Sequence, residues 1–560
     1  MIRCFLVVVF VLTGFQLSAN IIDSLGFTSP VDHQIKLTGN FMELRSNHFH
    51  AGIDIKSSNG QSGDIIRSVH NGHVSRIKVQ GGGYGNALYI DHPNGYTSVY
   101  AHLNKFSDQV AEYVKEIQYA LESFEVDIYL PDSMFIISQK EIIGEMGNTG
   151  RSFGPHLHFE LRKTKSEMPV NPEKLGLGPE DSSAPILESL HLHSLSEDGA
   201  LLDKQVKYFK SKKPEYKLHQ DHILISGSKV GIGMQMYDRM DGSWNKNGIY
   251  GFLLKVDDKR LFSWQADEFD FSETRYINAF WDYERHKKHG QKVYLMYRQS
   301  CNPFSYYSSS QDGIIDLSDG QAHRVEIIVT DLHRNRSLTS FTIQQSSIFK
   351  QYEAANISCD SVVVEQAGQY QVSFDEGAFY APLSLKIKQG NRSIAGTSYP
   401  SVTIGDPHTS VQGYYEISCP IDPNTRDRRW TMASFDNKGR LIQFGGEVSG
   451  DHFVSQVDQL GTFVLIKDEE SPRIKPIRVD SRRNNPWKLS IDDNLISDGR
   501  ARDLTIRGTV NGQWMLWEYD MKNNMILFDD WEMLPAGALD LIIEVTDHCG
   551  NVSVWQKTLP

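Results

Sequence analysis

Three short stretches of this chain bring together residue types that hold metal ions and move protons. The densest is His156-Leu157-His158. In a β-strand, residues two apart project to the same side. The two imidazoles therefore share a face, and Leu157 turns the other way, toward a core. Gly154-Pro155 ends a turn just before them, and a strand entered from a tight Gly-rich turn is a rigid platform for accurately placed side chains. Phe49-His50-Ala51-Gly52-Ile53-Asp54-Ile55 adds an imidazole and a carboxylate four residues apart. An extended segment puts both on one face, with Gly52 between them leaving space for an ion. Tyr100-Ala101-His102-Leu103 supplies a further imidazole at the end of the strand-like run Thr97 to Tyr100. Zinc favours neutral imidazole and carboxylate ligands, and a catalytic site keeps one position open for water. Three ligands with two further histidines suit metal-assisted hydrolysis.

His50-x3-Asp54, Tyr100-x-His102-Leu103 and Gly154-Pro155-His156-Leu157-His158-Phe159-Glu160 occur in the order found in the lysostaphin/LytM-type zinc metallopeptidases, which this stretch resembles from about Gly39 to Arg162. Members cut peptide cross-bridges of bacterial peptidoglycan. The resemblance implies one zinc ion per chain, with His50, Asp54 and His158 as ligands and His102 and His156 as the catalytic histidines. It leaves open which of those two is the base. His48 makes a second H-x-H with His50 and rivals it by geometry, but the family pattern assigns the ligand role to His50. His48, His70, His73 and His92 read as exposed or structural. Arg45 reads as a salt-bridge partner near the site. An HExxH helix, a Ser nucleophile elbow and a CxxC redox pair are missing at credible positions.

The elements that must position these residues read as antiparallel β. Short runs at Ile65 to Val69, His73 to Val79, Ala87 to Asp91 and Thr97 to Tyr100 alternate with Gly-rich turns, and Gly81-Gly82-Gly83-Tyr84-Gly85 reads as a hairpin turn. Leu37 to Arg45 resembles the family's entry strand. Between Leu103 and Ile142 the chain departs from the family's short hairpin. Ser107-Asp108 starts a helix with Val110, Tyr113, Val114, Ile117, Leu121 and Phe124 at helical spacing, followed by strands at Val126 to Leu130 and Met134 to Ile137. This insertion (about 104–140) is expected to be a wall or lid of the cleft, or a surface loop with its own small core.

Beyond a Gly/Pro-rich acidic boundary from Asn171 to Asp181, the chain stays β-like. Val329-Thr330-Asp331-x3-Asn335 matches Val545-Thr546-Asp547-x3-Asn551, and Ser183 to Ile186 loosely matches Ser471 to Ile474. The pattern predicts two immunoglobulin-like sandwiches, each ending in a hairpin whose Asp and Asn brace the turn. Strands at Phe252 to Val256 and Val325 to Val329 belong to the first. Leu383 to Lys388 and Thr462 to Ile466 belong to a further sandwich between the two. The expected fold is mostly β: a signal peptide at 1–19, an antiparallel β-sheet metallopeptidase domain at 20–180, an immunoglobulin-like β-sandwich at 181–346, a β-sandwich at 347–468 and an immunoglobulin-like β-sandwich at 469–560. The β-region is expected to fold without the catalytic domain.

Met1-Ile2-Arg3 followed by the apolar run Cys4 to Phe15 and Ser18-Ala19 reads as a cleavable secretory signal, with no transmembrane segment after cleavage. Export to the periplasm or cell envelope of a bacterium permits disulfides, and Cys359–Cys419 is the expected pair. With 560 residues, 39% hydrophobic content and a net charge of −13, the chain is folded, multidomain and no general nucleic-acid binder. The function implied is zinc-dependent endopeptidase action on peptidoglycan peptide stems and cross-bridges, with cell-envelope proteins as possible partners of the β-domains. The alternatives are a non-catalytic LytM-like regulator that activates another cell-wall hydrolase, or a wall-binding array.

Overall fold

The computed structural model describes residues 25–211, 214–308, 312–347, 354–422, 429–482, 485–497 and 504–560. The expected signal peptide lies outside these residues. Among the described residues no helix is long and apolar enough to cross a membrane.

The first part of the chain forms a nine-stranded sheet and a three-stranded sheet over one core. Its strands are β1 (Leu37–Gly39), β2 (Ile53–Lys56), β3 (Ile65–Arg67), β4 (Gly72–Val79), β5 (Ala87–Asp91), β6 (Tyr96–Ala101), β7 (Leu103–Phe106), β8 (Val126–Tyr129), β9 (Ile136–Ile137), β10 (Ile142–Met146), β11 (His156–Lys163) and β12 (Pro169–Val170). The large sheet runs β1-β2-β11-β6-β5-β4-β8, antiparallel throughout, with β12 on β11 and β9 on β4. The small sheet runs β3-β10-β7. Alternation decides the faces. On β11, Leu157, Phe159 and Leu161 enter the core fully buried, each contributing about 1.5–3 kcal/mol. The intervening residues turn the other way.

The insertion forms the helix and two strands its spacing predicts, but Leu121 is exposed, Phe124 lies beyond the helix and the second strand is only Ile136–Ile137. Helix α1 spans Asp108–Leu121 and buries Val110, Val114 and Gln118, although the Ser107 side chain makes no capping hydrogen bond. The helix docks on the last β-block. Lys115 Nζ pairs with Asp530 Oδ1 at 2.7 Å, the Tyr119 hydroxyl donates to Asp530 Oδ2 at 2.7 Å, and the Tyr119 ring meets Trp514 edge-on. Arg507 pairs with Glu122 at 2.7 Å. The insertion is thus an interdomain contact, a role its sequence did not announce.

The rest of the chain consists of paired sheets with shared cores: five and six strands from Ile186 to Gln345, five and six from Val363 onward, and four and four from Arg473 to Leu559. The repeat is structural in detail. Asp331 accepts from the backbone N–H and side-chain amide of Asn335 at 2.8 and 2.7 Å, and Asp547 does the same for Asn551 at 2.8 and 2.9 Å. Ser337 and Ser553 donate to the carbonyls of Pro185 and Pro472.

Two expectations change. Cys301 bonds Cys359, while Cys419 and Cys549 are free and buried. Cys301 sits in the preceding block, so the bridge joins two blocks and a pairing argued within one missed it. The Leu383 to Lys388 run is not one strand, because the strand begins at Ile387. The boundary at Asn171 and the first domain both pack on the block that follows. Asn171 is hydrogen-bonded to Ala266 and Asp267, and Phe49, 1% exposed, stacks on Phe304 inside the core of the following block.

Candidate metal centre

Strand register assembles the site. β11 lies between β2 and β6, so His158 stands opposite Asp54 on one side and Ala101 on the other. His102 follows Ala101 and takes a left-handed conformation, φ 61°, where β6 gives way to β7. His50 precedes β2 and is tied by backbone hydrogen bonds to Met42 and Glu43. Gly52 serves a different purpose from the one its position suggests. A Cβ there would come within 2.2 Å of the Phe159 carbonyl oxygen, so the glycine lets β11 approach and leaves no gap for an ion.

His50 Nε2, Asp54 Oδ1 and His158 Nδ1 lie 3.0 Å from one another. Zinc bonds of roughly 2.0–2.1 Å in tetrahedral geometry place ligand atoms about 3.3 Å apart, so this donor set fits a zinc ion with small adjustments. It is the metal-capable group whose members are all buried among the described residues. His102 and His156 flank it, their rings 4.8 Å apart, with His156 Nε2 3.5 Å from Asp54 Oδ1. All five residues singled out in the sequence converge. His48 is exposed, held by Asn47 and outside the donor set, and His92 is bonded to Ser98 and Asn71.

Acceptors behind each ring assign the tautomers. A carbonyl or carboxylate oxygen accepts, so the nitrogen facing it carries hydrogen. His50 Nδ1 donates to the Asn40 carbonyl at 2.8 Å, His102 Nδ1 to Thr149 at 2.8 Å and His156 Nδ1 to Gly154 at 2.8 Å. Each therefore presents Nε2 to the centre. His158 is the reverse: Nε2 donates to Glu160 at 2.7 Å and Nδ1 faces the centre.

Electrostatics agree with a cation site. Burial alone would raise the Asp54 carboxyl, but His50 and hydrogen bonds from His156 and His158 hold it well below 3.8. Burial opposes charging His158, yet Asp54 and Glu160 on its two nitrogens raise it to about 9. A metal ion between these ligands would take the place of that proton. Burial, then His158 and His156, push His102 down to about 3, so it stays neutral.

The segments 48–119 and 133–172 match the model of Peptidase family M23. The resemblance seen in the sequence therefore holds for this domain. Over 134 residues it is 34% identical to the DD-carboxypeptidase/endopeptidase Mpg of Neisseria meningitidis serogroup B, covering 24% of each chain. Over 112 residues it is 30% identical to an uncharacterized metalloprotease of Haemophilus influenzae, covering 20% of this chain and 18% of that one. The chain thus spans a quarter or less of these relatives' length. Among solved structures, the catalytic domain of lysostaphin from Staphylococcus simulans covers 25% of this chain and 90% of its own at 20% identity and TM-score 0.19. A zinc containing peptidase from Vibrio cholerae covers 28% and 41% at 24% identity and TM-score 0.19.

The domain that matches this family model also holds supporting residues around the donor set. Glu160, fully buried, accepts from His158, from Arg162 at 2.7 Å and from the Tyr84 hydroxyl at 2.5 Å. Burial would raise its carboxyl, but Arg162 and His158 hold it at about 2. A signal was present: the alternation that pairs His156 with His158 also puts Glu160 and Arg162 on that face. Arg45 donates to Asp54 Oδ2 at 2.7 Å, the salt bridge expected of it.

Proposed function

We propose that this chain is a zinc metalloendopeptidase that hydrolyses peptide cross-links of bacterial peptidoglycan. The observation that carries the reading is the triangle of His50 Nε2, Asp54 Oδ1 and His158 Nδ1, 3.0 Å on each side, flanked by His102 and His156. The M23 match and the relative named a DD-carboxypeptidase/endopeptidase support it. His50, Asp54 and His158 would hold one zinc ion per chain. When bound, zinc would supply a Lewis acid and acidify water to a pKa of about 7.

The chain's own residues supply the proton work. His102 and His156 each present an Nε2 lone pair because their Nδ1 hydrogens are committed to carbonyls. A neutral imidazole so fixed accepts a proton from the attacking water and returns it to the leaving amine. The part-buried hydrogen bonds to the Thr149 and Gly154 carbonyls hold the two rings in orientation before substrate arrives. A regulator retained only to recruit another hydrolase has no need of both flanking imidazoles in this alignment.

The wider reading places the protein in the exported envelope of a bacterium, with blocks at 181–346, 347–468 and 469–560 that position the M23 domain on the wall or on envelope proteins. Zinc analysis with digestion of purified sacculi tests the activity. The reading requires chelator-sensitive loss of cross-linked muropeptides, and a zinc-loaded protein that leaves sacculi unchanged would refute it.

A further inference from the structure

His50 and Asp54 are each held from behind, and both holdings lead out of the M23 domain. His50 Nδ1 donates to the Asn40 carbonyl at 2.8 Å. The Asn40 side chain is itself clamped by one backbone position of the next block. Its amide donates to the Gly248 carbonyl at 2.9 Å, and its oxygen accepts from the Gly248 N–H at 2.8 Å. Asn40 is 7% exposed, so no solvent competes for these bonds. Gly248 leaves little room for a larger residue: a Cβ would meet Asn40 Oδ1 and Glu43 Cα at 3.2 Å and the Tyr294 hydroxyl at 3.3 Å, so these neighbours would have to give by a few tenths of an ångström.

The second route reaches Asp54. Lys292 Nζ pairs with Glu43 Oε1 at 2.8 Å, Glu43 Oε2 lies 3.3 Å from Arg45, and Arg45 donates to Asp54 Oδ2 at 2.7 Å. Arg45 thereby occupies the carboxylate oxygen that faces away from His50 and His158, leaving Oδ1 for the centre. Gly248 and Lys292 lie about two hundred residues or more along the chain from the ligands they serve, in the block whose core also takes in Phe41, Met42 and Phe49.

We infer that the block from Ile186 to Gln345 completes the metal centre, with Gly248 and Lys292 as positioning residues acting through Asn40 and through Glu43 and Arg45. This rests on the reading that His50, Asp54 and His158 bind zinc. Groups that orient metal ligands typically govern affinity by about 10–100-fold. The Gly248–Asn40 clamp fixes the His50 tautomer through the Asn40 carbonyl. The Lys292 route is longer and its cation is 39% exposed, so its effect is smaller.

The test uses the full chain and zinc alone. Zinc dissociation constants are measured by competition with a fluorescent chelator for Asn40→Ala, Gly248→Ala, Lys292→Ala and Lys292→Arg. Thermal melts and circular dichroism of the metal-free proteins are recorded beside them. Asn40→Ala and Gly248→Ala should weaken zinc about 10–100-fold. Lys292→Ala should weaken it about three- to ten-fold, with Lys292→Arg restoring it. Lowered melting temperature with zinc affinity inside two-fold of the unaltered chain would overturn the inference. Lys292→Ala, on a half-exposed side chain, decides the matter if the buried variants fail to fold. An unaltered chain that binds no zinc would instead defeat the metal reading itself, a separate result.

Discussion

Glu160→Gln should cost both zinc affinity and stability, and the reason lies in how three donors share one carboxylate. Tyr84 and His158 donate to Oε1, and Arg162 donates to Oε2. Glutamine keeps the shape but offers one oxygen and one amide nitrogen. If the nitrogen faces Arg162, a donor meets a donor beside a guanidinium left with only the exposed Glu167 carboxylate, 3.6 Å away. Breaking a buried pair in this way costs about 3–5 kcal/mol of stability. If the nitrogen faces His158, the imidazole must accept at Nε2, which moves its hydrogen to Nδ1 and removes the ligand lone pair. Either arrangement weakens the centre, and loss of such a support typically costs about 10–100-fold in metal affinity, which is roughly 1.4–2.7 kcal/mol. Chelator competition gives the zinc constant, and urea unfolding of the metal-free protein gives the stability. Zinc affinity within two-fold of the unaltered chain, together with stability within about 0.5 kcal/mol, would refute the argument that Glu160 fixes His158.

Three further outcomes are expected. His158→Ala and Asp54→Ala should lose zinc and activity together, whereas His156→Ala and His102→Ala should keep most zinc and lose about 10²–10⁴-fold in rate; His48→Ala should change neither, and zinc loss in His156→Ala with retention in His158→Ala would reverse the assignment. Asp530→Ala removes the acceptor shared by Lys115 and Tyr119, so it should loosen the docking of α1 by about 1–3 kcal/mol, read as faster amide exchange across 108–121; unchanged exchange would contradict that contact. Peptide mapping without reduction should recover Cys301 linked to Cys359, with Cys419 and Cys549 alkylated only after unfolding; a peptide joining Cys359 to Cys419 would contradict the structure.

The centre was legible because its residues obey local rules. His156 and His158 share a face by strand alternation, and the helix at 108–121 announces itself by spacing. Glu160 obeyed the same alternation but looked like one more charged strand residue until a ring nitrogen was seen to need an acceptor. Gly52 was misread because a glycine between two ligands looks like room for an ion, while the close backbone across the sheet is invisible in one dimension. Asn40, Gly248 and Lys292 carry no local signal at all: their bonds join segments some two hundred residues apart. The disulfide failed for the same reason, since Cys301 lies across a domain boundary from Cys359. The aromatic packing of Phe49 on Phe304 across the Gly/Pro-rich boundary likewise joins residues far apart in the chain and has no local signal.

The most direct test of the account is the zinc content of the purified full chain, paired with mass spectrometry of sacculi digested by that same preparation. The expected result is one zinc per chain at His50, Asp54 and His158, falling amounts of cross-linked muropeptides, loss of digestion on chelation and recovery on adding zinc. Protein free of zinc that still cleaves the cross-links, or zinc-loaded protein that leaves every muropeptide intact, would contradict it.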